Sequence, residues 1–292
     1  MKNIILATSN AKHLGLDNGD LIIGRFPDRE VSVVLNEDVK NKNVVVIGST
    51  EPPAENLVEL LLSIDTVFHH GAKSITVVIP YLGYSKSDME KVPGQSVSSR
   101  VLVNLIESIG GMKLKIIAVD LHSKRIVKFF KVPLRHISLI KELAERFKYL
   151  KNLSIVSPDE GGVNRAMEFA KYLGQKKIVR IRKNRISPTS VKILEVLGDV
   201  KDKNVVLVDD MVQSGGTTIT ATATLKENGA KNIYVASVHM DYSGGGWKKL
   251  EKSKLIKKVI TSNSVKPPSH LPKKFEIIDI APALETVISS RT

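Results

Sequence analysis

Short apolar runs rich in β-branched residues alternate along the chain with longer segments of helical periodicity. Several runs are apolar throughout, such as Val44-Val45-Val46-Ile47 and Val205-Val206-Leu207-Val208, which is typical of strands buried on both faces. After a first strand at the N-terminus, the pattern predicts strands over 43–49, 74–81, 114–122, 153–159, 177–183, 204–210, 232–240, 258–264 and 275–281. It predicts helices over 54–71, 96–110, 139–150, 161–174 and 215–229. This alternation favours an α/β fold of mostly parallel sheets flanked by helices.

The chain of 292 residues is long enough for two ordinary domains. A charged helix is predicted to end near 149–152, where a new strand begins. We therefore expect an N-terminal domain over 1–148 and a C-terminal domain over 149–292. Ligands of open α/β sheets gather beyond the carboxyl ends of the strands, so candidate site residues are sought at those ends.

Composition excludes several classes of site. The sequence has no cysteine, which rules out disulfides, thiolate metal ligands and cysteine nucleophiles and agrees with a cytoplasmic location. No apolar run approaches the roughly 20 residues of a membrane span. The net charge of +14 suits polyanionic ligands such as nucleotides and sugar phosphates. Lysines crowd the segment 248–274 with almost no aromatic residues between them, so a solvated surface is favoured there over nucleic-acid binding.

The sharpest signal follows the apolar run 205–208, where Asp209 and Asp210 precede the loop Gln213-Ser214-Gly215-Gly216-Thr217. Glycines let backbone N–H groups close on a phosphate, and the helix predicted to start at 215 adds partial positive charge. Adjacent carboxylates can accept hydrogen bonds from two ribose hydroxyls. The segment predicts a site for a phosphorylated ribose. It is not a Walker loop, because no Gly-Lys-Ser or Gly-Lys-Thr follows.

Other motifs are less specific when each is taken alone. His122 and Asp159 end two predicted strands, and an imidazole with a carboxylate can help to hold a divalent cation beside polyphosphate oxygens. A lone histidine at a strand end is, however, more often structural. The basic segment 182–188 reads as a solvated turn by composition alone. The turn 25–30 reads either as a charged hairpin tip or as a purine contact.

Five motifs occur in an order and spacing that resemble the ribose-phosphate diphosphokinase family. They are the Asp-Asp loop, Arg25-Phe26-Pro27-Asp28-Arg29-Glu30, Pro80-Tyr81-Leu82-Gly83-Tyr84-Ser85-Lys86-Ser87-Asp88, Asp120-Leu121-His122 and Ser157-Pro158-Asp159-Glu160-Gly161-Gly162. The resemblance covers nearly the whole chain. It implies two phosphoribosyltransferase-like domains, each a mostly parallel sheet flanked by helices. It also implies transfer of the diphosphoryl group of ATP to the 1-hydroxyl of ribose 5-phosphate, which gives AMP and 5-phosphoribosyl 1-diphosphate (PRPP) for nucleotide biosynthesis.

The same resemblance implies roles for individual residues. The implied catalytic residues are Lys183 and Arg185, which lie in a segment similar to the mobile catalytic loop of the family. The implied Mg²⁺ ligands are His122 and Asp159. The implied ATP contacts are Phe26, Asp28, Arg29, Glu30, Lys86, Ser87, Asp88 and His122. The implied ribose 5-phosphate contacts are Arg185, Asp209, Asp210, Gln213, Ser214, Gly215, Gly216 and Thr217. In the family a neighbouring subunit supplies the 26–30 turn, which implies a homo-oligomer with shared active sites.

Two departures from the family pattern concern nucleotide binding. Arg29 stands where the family usually has glycine, and Lys86-Ser87 stands where Arg-Gln is common; a lysine keeps the charge but forms no planar bidentate contact. Two alternatives are a phosphoribosyltransferase that consumes PRPP and a catalytically silent regulatory or nucleic-acid-binding protein. The N-terminal motifs argue against the first. Intact Lys183, Arg185, His122 and Asp159 argue against the second.

Overall fold

A computed structural model describes residues 3–185 and 192–290, with all their side chains except those of 112 and 183–194. The chain divides into two compact units. Unit 1 comprises Met1–Ile137, Ser264–Lys266 and Asp279–Thr292, and unit 2 comprises Ser138–Asn263 and Pro267–Ile278.

Unit 1 contains the first seven strands and the first three α-helices. The strands are β1 (Ile4–Ala7), β2 (Leu21–Arg25), β3 (Val31–Leu35), β4 (Asn43–Ile47), β5 (Ser74–Ile79), β6 (Leu114–Val119) and β7 (Leu134–Ile137). The helices are α1 (Glu55–His69), α2 (Ser98–Gly110) and α3 (Lys124–Val127). A parallel sheet takes its strands in the order β1, β4, β5, β6 and β7, while β2 and β3 form a separate antiparallel ribbon.

The core of unit 1 lies between its parallel sheet and the apolar faces of its helices. Leu60 and Ile64 on α1, and Leu102 and Ile106 on α2, are spaced four residues apart and join the same buried cluster as the central strands. The run 44–47 is buried at every position, as its uniformly apolar sequence predicts.

Unit 2 contains a larger sheet. Its strands are β8 (Leu153–Ser157), β9 (Val179–Arg185), β10 (Lys192–Leu197), β11 (Asn204–Val212), β12 (Asn232–Met240), β13 (Ile256–Ser262) and β14 (Phe275–Ile278). Its helices are α4 (Ile140–Glu145), α5 (Val163–Tyr172), α6 (Gly216–Glu227) and α7 (Gly246–Lys252). The order in the sheet is β10, β9, β8, β11, β12, β13 and β14, and all the pairs are parallel except β9 with β10. The predicted α/β class with mostly parallel sheets is confirmed.

The two units divide the chain differently from the predicted domains 1–148 and 149–292. Residues 138–148 join unit 2, where Phe147 packs against Phe169 and Tyr234 at ring-centroid distances of 5.8 and 6.2 Å. The last helix, α8 (Ala281–Ser289), joins unit 1, where Asn3 Nδ2 donates to the carbonyl of Ile288 at 3.2 Å. A boundary based on local composition misses this, because both assignments depend on contacts between distant segments.

Short elements account for most of the other differences between the predicted and the observed secondary structure. The periodicity did not predict β7, β10, α3, α7 or α8, since a run of four to nine residues carries little periodic signal. Conversely, β11 extends beyond the predicted 204–210 and ends at Val212. None of the helices in the described part of the chain is both long and apolar enough to cross a bilayer.

Candidate active site

The acidic pair of unit 2 lies near the end of the buried strand β11. Asp209 is half-buried and Asp210 is 3% exposed, and the backbone N–H of Asp210 donates to Asp209 Oδ1 at 2.9 Å. Burial, followed by the negative charge of Asp210, raises the pKa of Asp209 well above its ordinary value. Two carboxyl groups held this close favour a ligand that donates hydrogen bonds or carries positive charge.

Arg165 places a positive charge beside this pair. It lies in the first turn of α5, and its Nη1 donates to Asp210 Oδ1 at 3.3 Å, with side-chain exposures of 14% and 4%. Against the larger effect of burial, the charge of Arg165 lowers the pKa of Asp209 and the charge of Asp159 raises it. The acidic pair, Arg165 and the predicted metal ligand Asp159 therefore act on one another electrostatically within unit 2.

Asp159 is held by the turn that links β8 to α5. Its Oδ1 accepts a hydrogen bond from the backbone N–H of Gly162 at 3.0 Å, and its backbone carbonyl accepts one from Ser157 Oγ at 2.8 Å. The hydrogen bond from the amide fixes the orientation of the carboxylate, and carboxylate oxygens are ligands that Mg²⁺ prefers. Within residues 3–185 and 192–290, no group of three or more histidine and acidic side chains is arranged to hold a metal by itself.

The predicted phosphate loop connects β11 to α6 as the sequence indicates. Ser214, Gly216 and Thr217 are exposed, and Gly215 has a φ of 71°, the left-handed conformation that glycine adopts without strain. The helix that follows is twelve residues long and begins at Gly216, so its first backbone N–H groups face the loop. This geometry suits a bound phosphate.

A second glycine turn supports the phosphate loop from the neighbouring strand β12. A Cβ placed on Gly246 would lie 1.9 Å from the carbonyl oxygen of Gln213 and 2.8 Å from the nitrogen of Gly215. No side chain fits there, so glycine at 246 is what permits the two backbones to approach. The sequence reading missed this turn, although loops that follow adjacent parallel strands meet at one edge of a sheet.

In unit 1, the predicted nucleotide residue Asp88 points into the protein. Its carboxylate is buried, and Oδ2 accepts hydrogen bonds from Ser123 Oγ at 2.5 Å and from Arg125 Nη1 at 3.0 Å. By contrast, Lys86 is exposed, and Ser87 Oγ donates to the carbonyl of Ser96 at 2.6 Å. The sequence reading missed the Ser123 and Arg125 partners, because they lie more than thirty residues away along the chain.

His122 lies between anchored neighbours at the carboxyl end of β6. The backbone N–H of Leu121 donates to His136 Nε2 at 3.0 Å, and Ser123, bonded to Asp88, also accepts from the backbone N–H of Arg125 as the N-cap of α3. His122 itself is half-buried. The fold thus fixes the backbone on both sides of the predicted metal ligand.

The predicted adenine contacts occupy the exposed turn between β2 and β3. The backbone N–H of Phe26 donates to the Glu30 carbonyl at 2.9 Å, Asp28 Oδ1 accepts from the Glu30 N–H at 3.1 Å, and Arg29 has a φ of 76°. Phe26 is 54% exposed. Arg25 anchors the ribbon to α1 through Glu59 Oε1 at 2.6 Å.

The predicted catalytic residues Lys183 and Arg185 belong to the last part of β9. Their backbones pair with Leu194 and Lys192 of β10 in antiparallel register. Their side chains, and the segment 186–191 that follows, lie outside the described residues.

Comparison with known proteins covers both units. The profile of the N-terminal domain of ribose phosphate pyrophosphokinase matches residues 2–110, and that of the phosphoribosyl transferase domain matches residues 133–272.

Full-length relatives agree with these profiles. The chain is 34% identical to ribose-phosphate pyrophosphokinase of Bacillus cereus, over 97% of this chain and 89% of that protein. It is 35% identical to the enzyme of the same name from Campylobacter jejuni, over 98% of this chain and 92% of that one. The crystal structure of phosphoribosylpyrophosphate synthetase from Mycobacterium smegmatis superposes with a TM-score of 0.88 at 29% identity, covering 98% of each chain.

Proposed function

The chain belongs to the ribose-phosphate pyrophosphokinase family and forms PRPP from ATP and ribose 5-phosphate, and we propose that unit 2 binds the sugar phosphate while residues of unit 1 bind the nucleotide. The reaction moves the diphosphoryl group of ATP to the 1-hydroxyl of ribose 5-phosphate and releases AMP. The observation that carries this assignment is the acidic pair Asp209 and Asp210 beside the glycine loop at the end of β11.

Ribose 5-phosphate binds to the loop and the acidic pair together. The 5-phosphate accepts hydrogen bonds from the backbone at the start of α6, with Gln213, Ser214, Gly215, Gly216 and Thr217 around it. The carboxylates of Asp209 and Asp210 accept hydrogen bonds from the ribose hydroxyls. Arg185 is the cation that we assign to the same substrate.

ATP binds through the β2–β3 turn and the segment after β5. Phe26 stacks on the adenine, with Asp28, Arg29 and Glu30 beside it, and Lys86, Ser87, Asp88 and His122 complete the predicted set of contacts. The exposure of Phe26, together with that of the cross-strand neighbours Ile22 and Val34 at 49% each, supports a turn that serves another subunit.

Sharing of the site between subunits is testable by mixing. Phe26→Ala and Lys183→Ala chains should each be nearly inactive alone and should regain part of the activity when they are assembled together. Some of the mixed sites then hold both missing groups. An active monomer under assay conditions, measured by light scattering, would contradict the shared site and the proposed homo-oligomer.

Mg²⁺ is the cofactor that fits the predicted ligands, because Asp159 presents an ordered carboxylate and polyphosphate oxygens supply further hard ligands. When bound, the ion offsets the charge of the triphosphate. His122→Ala and Asp159→Asn should each raise the Mg²⁺ concentration needed for half-maximal activity. Full activity in excess chelator would exclude the metal.

Lys183 and Arg185 stabilise the negative charge that gathers on the phosphoryl oxygens as the bond to AMP breaks. Lys183→Ala should lower kcat by about 10²–10³, the usual effect of losing one such group, with little change in substrate dissociation constants. A kcat within twofold of the unsubstituted protein would remove Lys183 from catalysis.

The decisive experiment incubates the protein with ATP, ribose 5-phosphate and Mg²⁺ and measures AMP and PRPP together. Equal amounts of the two products are expected. ADP or free phosphate as the product would mean a different phosphoryl transfer. The predicted cytoplasmic location is tested separately by fractionation of cells.

A further inference from the structure

Unit 2 holds two neighbouring carboxyl groups, and among the described side chains an arginine meets the more deeply buried one, Asp210. Arg165 Nη1 lies 3.3 Å from Asp210 Oδ1, and both side chains are largely buried. Asp209 accepts a hydrogen bond from the Asp210 backbone and retains more exposure than its neighbour. The positive charge is therefore applied to the deeper of the two acids.

Arg165 reaches the acids from a different part of the chain. It is carried by α5, which begins directly after the turn that orders Asp159, and the two partners are 45 residues apart in sequence. A helix anchored at a sheet edge holds its first-turn side chains rigidly, which is how supporting residues fix a binding group.

Without a cation, the two acids would repel each other. Adjacent carboxyl groups that interact strongly share a proton, and a protonated carboxyl donates a hydrogen bond where a carboxylate accepts one. Ribose hydroxyls that donate to both acids need both in the accepting form. Burial and the charge of Asp210 raise the pKa of Asp209, whereas the charge of Arg165 lowers it.

We propose that Arg165 is a positioning residue for ribose 5-phosphate, holding the carboxylate of Asp210 oriented so that the acidic pair accepts the sugar hydroxyls. This role rests on the proposed function of the pair. Arg165 acts through Asp210 and makes no contact with the reacting phosphorus. A buried ion pair that only stabilised the fold would affect both substrates alike, whereas a positioning role concerns the sugar phosphate alone.

The test measures ribose 5-phosphate binding by calorimetry in the presence of Mg²⁺ and α,β-methylene ATP, which cannot transfer its diphosphoryl group. Arg165→Gln should raise the dissociation constant at least about tenfold, the effect of losing one charge-assisted hydrogen bond. Arg165→Lys should recover part of the affinity, because lysine keeps the charge but loses the planar fork. In steady-state assays the KM for ATP should stay within about twofold.

A double-mutant cycle isolates the coupling. In an Asp210→Asn background, Arg165→Gln should cost little further affinity, because the charge that it supports is already absent. Lys171→Gln is the matched control, since it removes a positive charge from an exposed site on the same helix.

Three outcomes overturn the inference. The first is that Arg165→Gln binds ribose 5-phosphate with an affinity within twofold of the unsubstituted protein. The second is that the losses of affinity in the double-mutant cycle are fully additive. The third is that the KM values for both substrates rise equally while the unfolding midpoint falls. Should Arg165→Gln fail to fold, the Arg165→Lys variant alone must show a selective loss of sugar-phosphate affinity. If the unsubstituted protein itself does not bind ribose 5-phosphate, the proposed function of the pair fails first, and the inference fails with it.

Discussion

Each unit pairs a buried aspartate with an arginine, but the two clusters differ in charge balance. In unit 1, a single carboxylate, Asp88, accepts hydrogen bonds from both Ser123 and Arg125. In unit 2, one guanidinium, Arg165, faces Asp210 while Asp209 lies beside it. Among the described side chains named here, one acid meets one cation in the first cluster, and two acids lie beside one cation in the second.

This difference in charge balance indicates that the two clusters use aspartate and arginine for different purposes. The Asp88 carboxylate accepts two hydrogen bonds from its own chain at Oδ2, which stabilises local structure and anchors the backbone next to His122. An acidic pair with excess negative charge is costly in the folded state, and such a pair near a strand end is a candidate ligand site. We therefore expect substitutions in the first cluster to lower stability without changing ribose 5-phosphate affinity, and substitutions in the second cluster to lower ribose 5-phosphate affinity.

The largest expected effect is on sugar-phosphate binding. Asp209→Ala should raise the dissociation constant for ribose 5-phosphate roughly tenfold to a hundredfold, the range for hydrogen bonds to a charged group. Its unfolding free energy should not fall, because the variant also removes like-charge repulsion. Calorimetry and urea unfolding on the same preparation check both statements. A large loss of stability in Asp209→Ala would show that the two clusters do not differ in the way proposed.

Asp88→Ala should show the opposite pair of effects, a loss of stability without a loss of ribose 5-phosphate affinity. Loss of two hydrogen bonds to a buried carboxylate should lower the free energy of unfolding by about 2–3 kcal/mol, measured in urea. Affinity for ribose 5-phosphate should be unchanged. If the KM for ATP rises while the unfolding midpoint stays constant, Asp88 contacts the nucleotide directly, as the sequence predicts.

A smaller effect is expected from the turn beneath the phosphate loop. Gly246→Ala should raise the KM for ribose 5-phosphate several-fold, because the added Cβ displaces the backbone of Gln213 and Gly215. The control is Gly244→Ala, whose Cβ would lie at an ordinary 3.5 Å from the same Gln213 oxygen. Equal effects of the two substitutions would show that the close approach does not matter.

The smallest effect concerns pH. The pKa of Asp209 is raised by burial, and next by Asp210, so its contribution to stability is complete below the ordinary carboxyl pKa and is lost as the pH rises through the raised value. Asp209→Asn does not titrate and should unfold at a slightly higher temperature than the unsubstituted protein at neutral pH. The difference should shrink in acid. A difference in unfolding temperature that grows as the pH falls would contradict the predicted direction of the pKa shift.

The position of the loop 213–217 between β11 and α6, and most of the strands, were predictable because their signals are local. The run 205–208 is apolar at every position, and the loop 213–217 follows it after four residues. One short segment therefore indicates both the strand and the candidate binding residues. The division of the chain into two units was not predictable in this way. Helix α8 belongs to unit 1 and residues 138–148 belong to unit 2, because contacts between distant segments decide both assignments.

The sequence by itself determined the α/β class and the resemblance that identified the reaction, and it supplied the acid and glycine residues of the proposed sugar-phosphate site. Only the tertiary structure decided which groups each carboxylate meets: Ser123 and Arg125 for Asp88, and Arg165 for Asp210. Hydrophobic periodicity encodes which face of an element is buried, and that information lies within the element. The partner of a buried charge is set by how elements pack, which brings together side chains 35 to 45 residues apart.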